Sequence, residues 1–266
     1  MFSYRHAFHA GNHADVLKHA VQALIIESLK KKEKPFIVLD THAGGGLYDL
    51  RGDWSQKKAE YADGIGRLWD ERAQWSAMAP YLDVIEEMNP AQEGHDGALH
   101  YYPGSPELSR RLARDQDKLA LMELHNNEVE DLRANMGYDP RVAVHHRDGF
   151  EGLVALLPPT PRRGLVLIDP PYEDKRDYTH VAQVLADACI DAADHLTHAR
   201  HVARFLATDR HRLDAGLLGE IIEPSLGRHR IGHVDLMNIA DTEGKARLET
   251  AGGVAGTFTF PFFTIE

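Results

Sequence analysis

Short apolar runs alternate with longer stretches of helical periodicity along much of the chain. After Asn12, a residue suited to cap a helix, apolar side chains recur at helical spacing and predict a helix that ends near Lys34. Helical patterns also separate the predicted strands, which is typical of an α/β protein with a mostly parallel twisted sheet. Four runs rich in β-branched and apolar residues predict these buried strands: Phe36–Asp40, Leu119–Glu123, Arg141–His145 and Arg163–Ile168.

This alternation lapses over residues 48–99. Helical patterns there cover Tyr61–Trp69 and Pro80–Met88, so we interpret the segment as a small helical insertion between the first and second strands. Residues 1–47 and 100–266 then make up the main α/β domain. Large aromatic side chains are usually buried, and we expect the tryptophans of the insertion to form a small core of their own: Trp54, Trp69 and Trp75.

The last third of the chain is less regular. Its apolar pattern predicts a helix over 178–195, a strand over 200–207 and a helix over 213–222. Two further strands, over 233–239 and 256–265, predict an antiparallel hairpin at the C-terminal edge of the sheet.

Candidate chemistry follows the strands at their carboxyl ends. Three acids, Glu123, Asp148 and Asp169, end or closely follow predicted strands. They should therefore line one edge of a parallel sheet, where α/β proteins bind ligands. A glycine-rich turn from Gly44 to Gly46 follows the first strand and lets a ligand approach the backbone. The turn lacks the full G-x-G-x-x-G spacing and a P-loop lysine, which weakens NAD and ATP as ligands.

The run Asp169-Pro170-Pro171-Tyr172 gives the sharpest chemical indication. Its two prolines stiffen the turn and leave the carbonyl of Pro170 free to accept a hydrogen bond. That carbonyl and the Asp169 carboxylate can accept both hydrogens of an exocyclic amine while a planar base stacks on Tyr172. The alternative is a turn that merely ends a strand.

Composition narrows the class of protein. A net charge of −11, from 41 acids and 30 bases, argues against a large uniform nucleic-acid-binding face but not against a local one. No apolar run is long enough to cross a membrane, and the N-terminus lacks the apolar core of a signal peptide, so we expect a cytoplasmic location. The single cysteine, Cys189, permits no disulfide within the chain.

Histidines are concentrated near the N-terminus, at His6, His9, His13 and His19. Their spacing fits no familiar zinc pattern, and no cysteine completes one. We therefore expect these histidines to form hydrogen bonds to a ligand or to the backbone, and we expect no metal.

Four separated segments resemble one known family: Tyr4–His19, Leu39–Gly44, Tyr101–Pro106 and Asp169–Tyr172. The D-P-P-Y motif marks class I S-adenosylmethionine-dependent methyltransferases that modify amines. The four segments together resemble the bacterial 23S ribosomal RNA adenine-N6 methyltransferases called the RlmJ family. The resemblance implies a Rossmann-like class I methyltransferase fold, S-adenosylmethionine as methyl donor, 23S ribosomal RNA as partner, and a monomer.

The same resemblance implies roles for individual residues. Asp169 would bind the target amine together with Pro170 and Tyr172, and Tyr4 and Lys18 would approach the base and the RNA. The cofactor would contact several elements: His19, His42, Gly104 and Ser105 at its methionine part, Gly44 in the glycine-rich turn, Glu123 at the ribose, and Asp148 with Gly149 at the adenine end.

The C-terminal third departs from the family, whose members usually carry a tryptophan-containing strand there. No tryptophan follows Trp75 in this chain, so substrate contacts from that region stay open. Guanine-N2 ribosomal RNA and adenine-N6 DNA methyltransferases share the D-P-P-Y motif and are alternatives. A non-catalytic protein that binds S-adenosylmethionine or RNA is an alternative of a different class.

Overall fold

A mostly parallel sheet occupies the centre of the computed structural model, which describes residues 5–91, 98–172, 176–177, 179–181, 183–184, 246–250, 253–258 and 262–265. The strands in chain order are β1 (Ile37–Asp40), β2 (Leu47–Asp49), β3 (Tyr101–Pro103), β4 (Lys118–Glu123), β5 (Val142–His146), β6 (Gly164–Leu167), β7 (Ala246–Thr250), β8 (Gly253–Phe258) and β9 (Phe262–Ile265). The helices are α1 (His13–Lys30), α2 (Asp53–Lys58), α3 (Ile65–Trp69), α4 (Ala79–Met88), α5 (Ser105–Leu112), α6 (Asn126–Met136) and α7 (Gly149–Leu156). Short 3-10 helices cover His6–Phe8, Glu60–Ala62, Arg72–Gln74 and Ser76–Met78.

The central sheet has the strand order β5-β4-β1-β6-β9. β1 pairs in parallel with β4 and β6, and β4 pairs in parallel with β5, whereas β9 runs antiparallel to β6. From β1 the chain builds the sheet first to one side and later to the other, so a crevice forms at the carboxyl ends of the central strands. The predicted α/β fold with a mostly parallel sheet and an antiparallel C-terminal edge is confirmed.

The C-terminal strands differ from the prediction in one respect. The sequence predicts a single strand over 256–265, but β8 ends at Phe258 and β9 begins at Phe262 in a different sheet. β8 pairs with β7 instead, and the single predicted strand is wrong. Pro261 separates the two strands in sequence, and a proline cannot donate a hydrogen bond within a sheet. The elements predicted over 200–207, 213–222 and 233–239, and most of the helix predicted over 178–195, lie outside the described residues.

Helices cover both faces of the sheet because each strand sends alternate side chains to opposite faces. Phe36 and Val38 join a first hydrophobic cluster with residues of α1, α4, α5 and α6. Ile37 and Leu39 join a second cluster with residues of α7. Every residue of β1 and β6 is buried, as expected for parallel strands covered on both sides.

The strands before and after the inserted helices lie side by side. β2 and β3 pair antiparallel, with Tyr48 opposite Tyr102, and α2, α3 and α4 lie between them in sequence. α4 packs against α1, and its Tyr81 and Ile85 belong to the same hydrophobic cluster as α1. The division of the chain into 1–47 with 100–266 and an inserted 48–99 stays a prediction.

The tryptophans of the insertion do not form the expected core. Trp69 is buried, but Trp54 and Trp75 are each 43% exposed. The prediction of a tryptophan core is therefore wrong, because aliphatic and tyrosine side chains of α4 fill the space against α1 instead. Helix α1 itself begins as predicted, since the Asn12 side chain accepts a hydrogen bond from the Asp15 backbone N–H at 3.0 Å.

Hydrogen bonds of the Asn89 side chain join the end of α4 to β3. Its side-chain amide nitrogen donates to the carbonyls of Ile85 and Tyr101 at 2.8 and 2.9 Å. Its amide oxygen accepts from the backbone N–H groups of His100 and Tyr101, each at 2.8 Å. Asn89 is buried, and its hydrogen bonds are buried or partly buried, so water replaces them only in part.

We expect Asn89→Ala to lower the free energy of unfolding by about 2 to 4 kcal/mol, because it leaves several backbone groups without their hydrogen-bond partner. Urea denaturation monitored by circular dichroism measures this change. Asp83→Asn, at an exposed position of the same helix, is the control and should stay within about 0.5 kcal/mol of the wild type. Equal stabilities for the two variants would contradict a fastening role for Asn89.

Candidate active site

A cavity of about 770 Å³ opens at the carboxyl ends of β1, β4 and β6. Glu123, Asp148 and Asp169 all line it, which confirms that acids from successive strands share one edge of the sheet. Tyr4 lies outside the described residues. The other residues that the sequence singled out also line this cavity: Lys18, His19, His42, Gly44, Gly104, Ser105, Gly149, Pro170 and Tyr172.

The D-P-P-Y turn follows β6 after one further residue, Ile168. Tyr172 adopts a φ of 52°, which is in the left-handed region that aromatic residues rarely occupy. Its half-buried ring packs against the second hydrophobic cluster, the one that includes Leu39 and α7. Strained backbone of this kind persists where surrounding structure holds it and is concentrated at functional sites.

Lys18 on α1 reaches the acid of this turn. Its Nζ lies 2.7 Å from Asp169 Oδ2 and 2.8 Å from Asp15 Oδ1, and its side chain is only 7% exposed. Burial acts to lower the pKa of Lys18, but the two carboxylates outweigh burial and raise that pKa well above its ordinary value. A permanent cation therefore holds one oxygen of Asp169 in place.

Asp15, in the first turn of α1, completes this arrangement. Its Oδ2 accepts from the Gly11 backbone N–H at 3.0 Å and lies 2.8 Å from His6 Nε2. Burial acts to raise the pKa of Asp15, yet His6 and Lys18 hold it well below its ordinary range. The i, i+3 spacing of Asp15 and Lys18 on a predicted helix was the signal that could have indicated their pairing.

His42, after β1, presents a defined tautomer. The Thr41 hydroxyl donates to the Leu167 carbonyl at 3.1 Å, since a carbonyl can only accept. The hydroxyl has one hydrogen, so His42 Nδ1, 2.8 Å away, must donate to Thr41 Oγ1. Burial lowers the pKa of His42 to about 4, which keeps the imidazole neutral. Its Nε2 is then an acceptor.

His19 belongs to a second buried chain of hydrogen bonds. Its Nδ1 lies 2.8 Å from the Tyr102 hydroxyl, which lies 3.1 Å from the Tyr81 hydroxyl. Burial lowers the pKa of His19 to about 3, so the ring is neutral. Its Nε2 is buried and has no hydrogen-bond partner within the described part of the chain. A buried polar atom without a protein partner at a cavity wall is available to a ligand or a water molecule.

Two other N-terminal histidines, His6 and His9, have acidic side-chain partners. His6 contacts Asp15, and His9 Nδ1 lies 2.8 Å from Glu60 Oε2. The sequence did not predict these acidic partners, because long-range packing brings the acids to the histidines. Hydrogen bonds from these histidines to a ligand or to the backbone stay a prediction. Over the described ranges, no group of three or more histidine, cysteine or acidic side chains is arranged to hold a metal ion.

Asp40 and Ser105 join β1 to α5 beneath the cavity. The Ser105 hydroxyl donates to Asp40 Oδ2 at 2.6 Å, and the His42 backbone N–H donates to Asp40 Oδ1 at 3.3 Å. Burial raises the pKa of Asp40 to about 6, although the Ser105 hydrogen bond opposes that rise. Asp40 therefore holds Ser105 at the cavity wall and titrates near neutral pH.

The opposite end of the cavity is built from backbone donors and a close glycine contact. Glu123 accepts from the N–H groups of Gly44 and His125 at 2.8 and 2.7 Å. Asp148 caps α7 by accepting from the second and third residues of its first turn. A side chain on Gly149 would place its Cβ 1.9 Å from the Thr41 carbonyl oxygen, so only glycine lets α7 start this close to β1.

The strand order, the cavity at the carboxyl ends and the D-P-P-Y turn define a Rossmann-like α/β fold of the methyltransferase type. A family model described as ribosomal RNA large subunit methyltransferase D, RlmJ, matches residues 33–214. The chain belongs to this RlmJ family. None of the helices within the described ranges is long and apolar enough to cross a membrane.

Individual relatives agree with this assignment. Ribosomal RNA large subunit methyltransferase J of Escherichia coli K12 is 51% identical over 187 residues, and the protein of the same name from Haemophilus influenzae is 49% identical over 187 residues. Each match covers 70% of this chain and 65% of the relative, so the chain spans just under two thirds of their length. The crystal structure of protein LPL1258 from Legionella pneumophila, of the family DUF519, is 38% identical with a TM-score of 0.63 and covers 70% of this chain and 66% of that one.

The raised pKa of Asp40 predicts a dependence of stability on pH. Folded Asp40 keeps its proton up to about pH 6, whereas the unfolded chain releases it near pH 4. Its contribution to stability is therefore greatest below pH 4 and is lost as the pH rises through 6. Asp40→Asn cannot ionise, so its stability relative to the wild type should rise by on the order of 3 kcal/mol between pH 4 and 7.

Denaturant unfolding of both proteins across this pH range measures the difference. Asp63→Asn, at an exposed position, is the control and should follow the wild-type curve. Parallel curves for Asp40→Asn and the wild type would contradict the raised pKa.

Proposed function

We propose that this protein transfers a methyl group from S-adenosylmethionine to the exocyclic N6 of an adenine in 23S ribosomal RNA. The observation that carries the proposal is that the Asp169–Tyr172 turn and the glycine-rich turn after β1 line one cavity. The first offers acceptors and an aromatic ring for a base, and the second offers a close backbone approach for a cofactor. The names of the two bacterial relatives, which refer to methyltransferases of large-subunit ribosomal RNA, support the same reading.

The described residues fit S-adenosylmethionine at its methionine end. The unpartnered Nε2 of His19 can donate to a carboxylate or accept from an ammonium group, according to its tautomer. His42 Nε2 is an acceptor, and Gly104 and Ser105 line the same wall. A side chain on Gly104 would approach the Gly46 carbonyl and the Tyr48 ring to 3.1 Å, which supports a tight glycine turn at this place.

The residues also fit the nucleoside end. Glu123 is a carboxylate at the end of β4, next to Gly44, and carboxylates at this position suit ribose hydroxyls. Asp148 and Gly149, at the start of α7, would hold the adenine end. When bound, S-adenosylmethionine supplies a methyl group already activated by its sulfonium centre. The protein's own residues then have to bind the cofactor and the base, orient the amine towards the methyl group, and exclude water from the cavity.

Asp169 and Pro170 would orient the amine. Adenine N6 is a poor nucleophile because its lone pair is delocalised into the ring. Lys18 holds Asp169 Oδ2, and none of the residues described donates a hydrogen bond to Oδ1. Oδ1 can therefore accept one amine hydrogen while the Pro170 carbonyl accepts the other, which favours a pyramidal nitrogen. Polarisation of the amine suffices, and prior removal of its proton is not required.

The target base has to leave its stack to enter this cavity. A paired base cannot present its amine to a turn at the cavity wall, so the adenine would be unstacked or flipped. Tyr172 would then stack on it, with Tyr4 as a second contact. Bacterial ribosomal RNA is made in the cytoplasm, so the proposed substrate implies a cytoplasmic protein. We propose that it acts as a monomer and without a metal.

We expect Asp169→Asn to lower the rate of methyl transfer by about 100- to 1,000-fold, because it removes a charged acceptor that acts in the transition state. The affinity for S-adenosylmethionine should change by less than about threefold, since Asp169 contacts the amine. Radiolabelled transfer measures the first quantity and calorimetric titration the second. Asp70→Asn, at an exposed position of the insertion, is the control.

The transfer assay should use a panel of unmodified 23S RNA, 16S RNA, transfer RNA and duplex DNA. Label recovered as N6-methyladenosine from 23S RNA alone is the expected result. Label on guanine N2 or on DNA would support methyl transfer from S-adenosylmethionine but contradict adenine N6 of 23S RNA as the acceptor. Cofactor binding without label on any acceptor would favour the non-catalytic alternative, and equal loss of binding and transfer in Asp169→Asn would remove Asp169 from its role.

Glu123→Gln should weaken cofactor binding and leave the transfer rate nearly unchanged, the reverse of Asp169→Asn. We expect the dissociation constant for S-adenosylmethionine to rise by about 10- to 100-fold, because charge-assisted hydrogen bonds to a ribose are weakened. The transfer rate at saturating cofactor should fall by less than about threefold. Calorimetry and saturation kinetics separate the two effects, with the exposed Glu71→Gln as control. An unchanged dissociation constant would exclude Glu123 from the cofactor site.

A further inference from the structure

An exposed group of aromatic and basic residues lies beside the active-site cavity. We define the Trp54 cluster as Arg5, Phe8, Trp54, Lys57 and Lys58. The Arg5 guanidinium lies 4.9 Å and Lys57 Nζ 4.3 Å from the centre of the Trp54 ring. Phe8 meets Trp54 edge to face at 5.0 Å, and both lysines lie 5.9 Å from the Phe8 ring. Trp54 is nonetheless 43% exposed.

Two of the three cations of the cluster have no acidic partner in the described part of the chain. Among the described residues, neither Arg5 nor Lys57 has an acidic group within 4 Å, and Lys58 reaches only Glu60, at 3.8 Å. Nearby Asp49 accepts hydrogen bonds from Arg51 Nε at 2.9 Å and from Arg51 Nη2 at 2.8 Å. Cations placed on an aromatic ring are ordered without losing their charge, so they are prepared to bind an anion.

The cluster is continuous with the active site. Arg5 precedes His6, which lines the 770 Å³ cavity. A second cavity of about 340 Å³ is lined by Arg5 and Trp54, and it shares Tyr48 and Glu128 with the first. A strand that places one base in the first cavity would bring its neighbouring nucleotides across the second.

We propose that the Trp54 cluster binds backbone phosphates of the RNA strand on one side of the target nucleotide. This inference rests on the proposed function and extends it to a surface that the cofactor and the D-P-P-Y turn do not touch. The protein carries a net charge of −11, so its overall field repels RNA, and attachment has to come from a local group of cations. Exposed tryptophan and phenylalanine rings interleaved with cations suit single-stranded nucleic acid, which offers both phosphates and base faces.

The test is the binding of a fluorescent single-stranded fragment of unmodified 23S RNA, followed by anisotropy over a range of salt concentrations. Lys57→Gln should weaken binding by about fivefold near 0.1 M salt and reduce the slope of log affinity against log salt by about 0.7, the value for one lost phosphate contact on a single strand. Arg5→Gln combined with Lys57→Gln should weaken binding by about 25-fold, since the two contacts are separate charges.

Matched controls are available in the same chain. Lys118→Gln makes the same change of charge at an exposed position where β4 begins, at the opposite edge of the sheet from the cavity. Trp75→Ala removes a tryptophan with the same 43% exposure as Trp54. Lys118→Gln and Trp75→Ala should leave affinity and salt slope within about twofold of the wild type, whereas Trp54→Ala should weaken binding by about fivefold or more.

The outcomes separate this inference from the proposed function. Equal effects of Lys57→Gln and Lys118→Gln would overturn the Trp54 cluster as an RNA site even if the wild type methylates 23S RNA. Specific loss in Lys57→Gln, with unchanged calorimetric binding of S-adenosylmethionine, supports it even if no methyl transfer is found. Loss of cofactor binding in Lys57→Gln to the same extent as RNA binding would assign the cluster a structural role and overturn the inference.

Discussion

The contact of Lys18 with Asp15 and Asp169 joins the two sides of the candidate active site. It joins α1 to the D-P-P-Y turn across 151 residues of sequence. Removing the Lys18 ammonium and the Asp15 carboxylate from water costs several kcal/mol per ion. Their attraction to neighbouring charges outweighs burial, since the pKa of Lys18 is raised and that of Asp15 is lowered. The arrangement therefore contributes both position and stability to the charged state. It fixes one oxygen of Asp169 and leaves the other available.

Packing of the helices keeps α1 in the position that the contact between Lys18 and Asp169 requires. α1 can present Lys18 to the turn only because its apolar face is packed against the sheet, α5 and α4. α4 in turn is fastened to β3 through Asn89, and β3 leads into the Gly104–Ser105 turn at the cavity. The insertion thus supports the active site through α1 and β3. The helices of the insertion accordingly share the hydrophobic core of the main sheet.

Local signals made much of the site predictable. Asn12 caps α1, the glycine-rich turn follows β1, and the acids end successive strands, because each depends on residues close in sequence. Contacts made at long range were not predictable. The pairing of Lys18 with Asp169, the partners of His9 and His19, and the exposure of Trp54 all depend on which elements pack together, and no local pattern specifies that.

The N-terminal segment joins the Trp54 cluster, which we propose binds RNA, to the buried contacts of Asp169. Arg5 lies on the Trp54 ring at the surface, and the adjacent His6 contacts Asp15, which contacts Lys18 and so Asp169. RNA bound at the Trp54 cluster would therefore order the residue next to His6. The same event would stabilise the buried contacts that position Asp169. Since binding free energy can be used to organise a catalytic site, a strand that engages both surfaces would be methylated better than a free base that fits the cavity alone.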